Sequence, residues 1–134
     1  MILQVGVKIL LQNPEGKYLL LKRNSSTYPG MHNVWDIPGG RIDPGTSLLV
    51  NLRREILEET QLPLTSEPQL LAAQDIIQNA ERHVVRLTYR GMTTGEPTLD
   101  PSEHTEYIWV TLDELRILEN LDAYVTDVVR DKLS

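Results

Sequence analysis

The chain has 134 residues, no cysteine and a formal net charge of −6. That length suits one domain spanning residues 1–134 with a sizeable core, and the missing thiols exclude disulfides and thiolate zinc sites. The acidic balance argues against duplex nucleic acid, whose binding relies on Lys and Arg, and no apolar run reaches the roughly 20 residues of a membrane span.

Phe is absent, so the core must come from Leu, Ile and Val with two Trp and five Tyr. The start, MILQVGVKILLQ, lacks the basic opening and small-residue cleavage site of a secretory signal. With the lack of cysteine, this sets the expectation of a cytoplasmic protein.

Val5, Val7, Ile9 and Leu11 alternate with Gln4, Gly6 and Lys8, the pattern of a half-buried strand. Asn13-Pro-Glu-Gly16 predicts a turn and Lys17–Lys22 a second strand, so the two should form a hairpin. Asn24–Val34, rich in Ser, Pro, Gly and Asn, reads as a loop. A short strand at Trp35–Ile37 then enters a Pro38-Gly39-Gly40 turn. The helix after Gly45 takes Thr46 or Ser47 as N-cap and is blocked by Pro63. Leu49, Leu52 and Ile56 form its buried stripe, while Val50 and Leu57 on the opposite side predict cover on two sides.

Leu70–Gln78 and His83–Arg90 read as strands; in the second, Val85, Leu87 and Tyr89 alternate with Arg86, Thr88 and Arg90. Gly95–His104 is a polar loop, and Glu106–Val110 a further strand. Thr111-Leu-Asp-Glu114 matches a capping box at the start of a short helix. The last helix, Leu121–Leu133, places Leu121, Tyr124, Val125, Val128 and Leu133 on one face. Strands surrounding two or three helices predict an α/β class with a mixed sheet.

The chemistry concentrates in Gly39–Leu62. On a helix of about 3.6 residues per turn, Glu55 faces both Glu58 and Glu59. Three carboxylates within an arc of roughly 100° destabilise a helix unless something positive sits among them. A hard dication meets that need, since Mg²⁺ binds through a few carboxylates plus substrate phosphates. Without further support, a solvated acidic face would explain the same residues.

Further support comes from register. Gly40, Arg54, Glu55, Ile56, Glu58, Glu59 and Leu62 match, position by position, the motif of the Nudix hydrolases, which this chain resembles. These cleave nucleoside diphosphates linked to another moiety. Thr46 stands where the motif has its first Glu, and Gln61 where it has a Gly. The early hairpin, the Trp35–Gly40 approach and the late Trp109 strand followed by Thr-Leu-Asp-Glu-Leu also look like this family. The resemblance implies an α/β/α sandwich around a mixed β-sheet.

The resemblance further implies that Glu58 and Glu59 bind Mg²⁺ or Mn²⁺, with Glu55 serving the metal or deprotonating the attacking water. Arg54 would orient the carboxylates, a task suited to a guanidinium fork, or be an ordinary surface ion pair. Gly39 and Gly40 would place main-chain groups beside the metals, making Gly40 a candidate ligand. A late-loop acid would add another: Glu103 is the candidate, Glu106 the runner-up, and either could be a solvated loop acid. His104 reads as an exposed loop residue, and His32 and His83 have no motif support. Arg23 and Arg41 are candidates for substrate phosphates or plain exposed charges. Trp35 and Trp109 read as core. Asn120 could bond a nucleobase, although Asn before a helix is first of all a cap.

Thr46 cannot supply the missing carboxylate, and Gln61 at positive φ costs on the order of 1 kcal/mol, so the helix exit is expected to differ. The leading expectation is a metal-dependent pyrophosphohydrolase acting on a small nucleotide, as monomer or homodimer. A Nudix-like nucleotide-binding module and a purely structural domain are the rivals. The chain starts almost directly at the first strand, without the N-terminal region of ADP-sugar-cleaving relatives. That resemblance favours nucleoside triphosphates, damaged ones included.

Overall fold

Strand β1 (Ile2–Gln12) is the organising element. The computed structural model describes residues 1–24, 26 and 34–133. Most of the expected Asn24–Val34 loop, with His32, lies outside these.

β1 runs parallel to β6 (Arg82–Met92) from Ile2↔Arg82 to Gln12↔Met92. Its other edge meets β2 (Tyr18–Arg23) at Gln12↔Tyr18 and β4 (Gly39–Arg41) at Gly6–Lys8, both antiparallel. β2 then pairs with β3 (Trp35–Asp36) and β7 (His104–Val110), and β5 (Gln69–Ile76) closes the sheet beside β6. The hairpin thus splays after its first rung, and β4 fills the gap it leaves. One parallel pair among antiparallel ones makes the sheet mixed, as expected.

Helices cover both faces. Val7, Ile9, Leu11, Leu19 and Leu21 pack on Leu52 and Ile56 of α1 (Leu48–Thr60). Leu10, Leu20 and Ile37 face the other way, onto Leu115 of α2 (Leu112–Ile117) and Val125, Val128 and Val129 of α3 (Ala123–Lys132). Each fully buried aliphatic side chain contributes about 1.5–3 kcal/mol. β1 is therefore buried on both sides rather than one. The expected alternation fails because Lys8, placed on the polar side, is only 9% exposed. β6 departs in the same way: Arg86 and Thr88, set against the apolar residues, are buried as well.

Ser47, not Thr46, caps α1, accepting the Val50 N–H at 3.2 Å. Val50 and Leu57 are 57% and 61% exposed, and Leu49 lies outside the core. Among the described residues the helix is covered on one side only, by the sheet. At its exit Gln61 adopts φ 58°, the left-handed conformation the motif Gly would take. The exit is held by the Gln61 N–H on Leu57 O at 3.0 Å and by Thr60 Oγ1, which accepts the Leu62 N–H at 3.1 Å. The capping box forms as predicted, with Thr111 and Glu114 bonded reciprocally. Asp122 caps α3 through the Tyr124 and Val125 N–H groups, so Asn120 has no capping role.

Candidate active site

Two adjoining hollows form where β4, α1 and the start of β7 converge. The smaller, of ≈ 420 Å³, is lined by Glu55, Glu58, Glu59, Asp100 and Glu103. The larger, of ≈ 470 Å³, shares Glu55, Glu59 and Glu103 and adds Lys8, Arg23, Asp36, Gly40, Arg41, Arg82 and Arg86. An acidic end thus runs into a basic one, which suits a polyanion held partly through cations and partly through arginines.

The glycines set the spacing. Gly39 and Gly40 are not a turn but strand β4, paired with Lys8 and Val7. Gly39 has φ 142°, and a Cβ there would fall 2.0 Å from Val7 O. A Cβ on Gly40 would fall 2.8 Å from Glu55 Oε2, so the bare backbone is what admits the Glu55 carboxylate.

Glu59 is 8% exposed, with Oε2 accepting the Gly39 N–H at 2.7 Å. Burial pushes it up to about 7 against the opposing pull of Lys8 and that N–H. Burial also raises Glu55, opposed by Arg54 and reinforced by Glu58. His104 is buried rather than an exposed loop residue. Burial, then the cations Arg23 and Lys8, lower it to about 4. A neutral imidazole 3.8 Å from Glu59 Oε1 is a polar contact, not an ion pair.

Arg54 is the hub of the acidic end. Nη1 bonds Asp43 Oδ2, Nη2 bonds Glu55 Oε1 at 3.0 Å, and Nε lies 3.9 Å from Glu58 Oε1.

Of the late-loop acids, the structure brings Glu103 to the hollow. Glu106 instead sits 3.6 Å from Lys22 and is mostly exposed. Arg23 and Arg41 line the cleft. Asn120 does not; it borders a separate hollow with Glu114, Ile117, Leu118 and Glu119. His83 pairs with Asp75 at 2.7 Å, apart from the acids. Trp35 and Trp109 pack at the margins of the two core clusters; Lys22 Nζ lies over the Trp35 ring at 4.6 Å.

Sequence reasoning missed Asp43, Asn51, Asp100, Arg82 and the buried set Lys8–Asp36–Arg86. Asp36 bonds Lys8 Nζ at 3.1 Å and Arg86 Nη2 at 3.2 Å, and Arg86 reaches Asp122 at 3.1 Å. The available signal was a Lys and an Arg inside otherwise apolar strands, since buried charges occur almost only in pairs.

The hard oxygen donors of Glu55, Glu58, Glu59 and Glu103, around a cradle open only because Gly40 has no side chain, fit a divalent cation. Among the described residues no three acids or histidines already converge as a cage. Arg54 holds Glu55 through Oε1, and the Gly39 N–H holds Glu59 through Oε2.

A mixed sheet between helices, with an acidic helix facing a glycine strand, is the Nudix architecture. The NUDIX domain family model matches residues 2–130, and the chain belongs to the Nudix hydrolase family. It is 32% identical to an RNA pyrophosphohydrolase of Bartonella clarridgeiae, covering 93% of this chain and 87% of that one. It is 31% identical to the nucleoside triphosphatase NudI of Escherichia coli, covering 79% and 80%. The solved MutT protein of Methanosarcina mazei Go1 superposes with a TM-score of 0.83 at 29% identity, over 96% of this chain and 91% of that one. The chain spans only 65% and 42% of two longer curated relatives, from Bacillus subtilis and Danio rerio. Nudix hydrolases generally use divalent metals. No helix among the described residues is long and apolar enough to cross a membrane.

Proposed function

We propose that this chain is a Mg²⁺-dependent pyrophosphohydrolase, with Mn²⁺ as a substitute, acting on a nucleoside triphosphate in the cytoplasm. The observation that carries it is the sharing of one hollow by Glu55, Glu58, Glu59 and Glu103, opening directly into a cleft lined by Arg23, Arg41 and Arg82. Glu55, Glu58, Glu59 and Glu103, with the Gly40 backbone, would hold the cation, which when bound offsets charge on the phosphoryl oxygens.

Arg23 and Arg41 bind phosphate oxygens and set the chain of phosphates along the cleft. Glu55 accepts the proton of the water that attacks phosphorus, and Arg54 fixes the direction of its carboxylate. The anhydride bond breaks and the leaving phosphate carries away the electron pair. The names of the two curated relatives, an RNA pyrophosphohydrolase and a nucleoside triphosphatase, support a nucleotide substrate cleaved at a phosphoric anhydride.

A panel of nucleoside triphosphates, ADP-ribose and dinucleoside polyphosphates, assayed with Mg²⁺ and with Mn²⁺ in ¹⁸O-water, tests the proposal. Triphosphates should be turned over fastest, with label on one phosphate product. Stabilisation by nucleotides without hydrolysis would instead define a binding module.

A further inference from the structure

Thr46 leaves the loop before α1 without the acid that the motif places there, yet Arg54 is not left without one. The segment Asp43-Pro44-Gly45-Thr46 folds as a tight turn, with the Thr46 N–H bonded to Asp43 O at 3.2 Å and Gly45 at φ 85°. Pro and Gly at the two central positions match a type II turn. The turn sets position 43 across from position 46.

Asn51 locks it there. This fully buried side chain accepts the Asp43 N–H at 3.0 Å and donates to Thr46 O at 3.0 Å and Ser47 O at 2.7 Å. All of its polar atoms are engaged in holding the loop to the first turns of the helix. The carboxylate of Asp43 is thereby delivered to Nη1 of Arg54, whose Nη2 holds Glu55.

We infer that Asp43 is a positioning residue that replaces the missing acid at position 46, aiming Arg54 so that Glu55 points across Gly40. The inference rests on the hydrolase reading above. A purely structural surface pair is the competing account, but the Asp43 side chain is 66% exposed, where such pairs add little stability. Its contribution is directional. Without it, the guanidinium turns more fully onto Glu55 and Glu58 and competes with a cation for their oxygens.

The test compares wild type, Asp43→Asn, Thr46→Glu and the double variant. Free Mn²⁺ is titrated by electron paramagnetic resonance without substrate, and kcat and KM are measured separately. Outer partners of metal ligands are typically worth about 10–100-fold. Asp43→Asn should therefore weaken Mn²⁺ binding and lower kcat by roughly 10-fold each, with KM and the melting temperature nearly unchanged. Thr46→Glu alone should match wild type, and the double variant should regain Mn²⁺ affinity and kcat.

Asp43→Asn with wild-type Mn²⁺ affinity overturns the inference, whatever the turnover. An impaired Asp43→Asn that Thr46→Glu does not restore overturns the equivalence of the two positions. If wild type itself binds no Mn²⁺, the hydrolase reading falls and takes this inference with it.

Discussion

Gly39 and Gly40 are neighbours with opposite reasons for lacking a side chain, and alanine at each should separate folding from chemistry. At Gly39 a new Cβ would meet Val7 O at 2.0 Å and Lys8 Cα at 2.7 Å, both backbone of the central strand, at a φ of 142°. Neither partner can retreat without breaking the β1–β4 pairing. Strain at such a φ costs about 1–3 kcal/mol and overpacking about 1–3 more, so Gly39→Ala should lose about 2–6 kcal/mol. Against a total of roughly 5–15 kcal/mol, the melting temperature should fall by about 10–25 °C.

At Gly40 the three atoms nearest the new Cβ all belong to Glu55, with Oε2 at 2.8 Å and Cδ at 2.9 Å. A carboxylate at the end of a flexible side chain can swing away for about 0.5–1.5 kcal/mol. Gly40→Ala should therefore melt within roughly 7 °C of wild type. Turnover should nevertheless drop about 100-fold, the scale expected when a reacting group moves by about 1 Å. Circular dichroism melts and Mg²⁺-dependent phosphate release on the best substrate report the two effects. If Gly40→Ala melted as low as Gly39→Ala, or kept full turnover, the assignment of that space to Glu55 would be wrong.

Asp36→Asn should cost about 3–5 kcal/mol, because Lys8 and Arg86 lose the carboxylate between them while Lys8 keeps Ile37 O and Arg86 keeps Asp122, leaving buried positive charge in excess; an unchanged denaturation midpoint in urea would refute this. Burial tends to raise the Asp36 pKa, but Lys8, Arg86 and the Ile37 N–H outweigh it and hold it below its ordinary value. Its stabilisation is thus complete above the unfolded pKa of about 4 and disappears as pH falls through the lower folded value. The gap between wild type and Asp36→Asn should accordingly shrink in acid, and a gap that widens below pH 4 would contradict the sign. Glu58→Gln, at a largely exposed side chain, should retain the wild-type melting curve yet lose more than about 100-fold in hydrolysis, since a neutral amide is a poor Mg²⁺ donor; undiminished turnover would remove Glu58 from the site. Leu52→Ala should destabilise by about 2–5 kcal/mol, as Leu52 is fully buried between α1 and the sheet; a loss under 1 kcal/mol, measured by urea unfolding, would contradict that packing.

The sequence made the acidic helix legible because Glu55, Glu58 and Glu59 report their shared face through spacing alone. Strand positions and the capping box were legible for the same reason: both are local. What escaped was whatever depends on contacts distant along the chain. Lys8 looked like a solvent-facing alternate because its partners, Asp36 and the Ile37 carbonyl, lie 28 and 29 residues away. Val50 and Leu57 looked like a second buried face because composition does not reveal on which side a sheet stops. Asp43 was invisible because its value comes from a turn and from Asn51, not from the motif register. Between Glu103 and Glu106 the sequence left the choice open; the strand entering at His104 turns the first toward the acids and the second toward Lys22.

The chain of opposite charges from Lys8 through Asp36 and Arg86 ends on Asp122, whose carboxylate also caps α3. The C-terminal helix is therefore wired to the floor of the cleft, although no residue of that helix lines it. Fraying at the Asp122 end would loosen Arg86, and through it the Asp36 hold on Lys8. Damage far from the reacting phosphate can in this way reach the catalytic groove as a slackened foundation rather than as a lost contact.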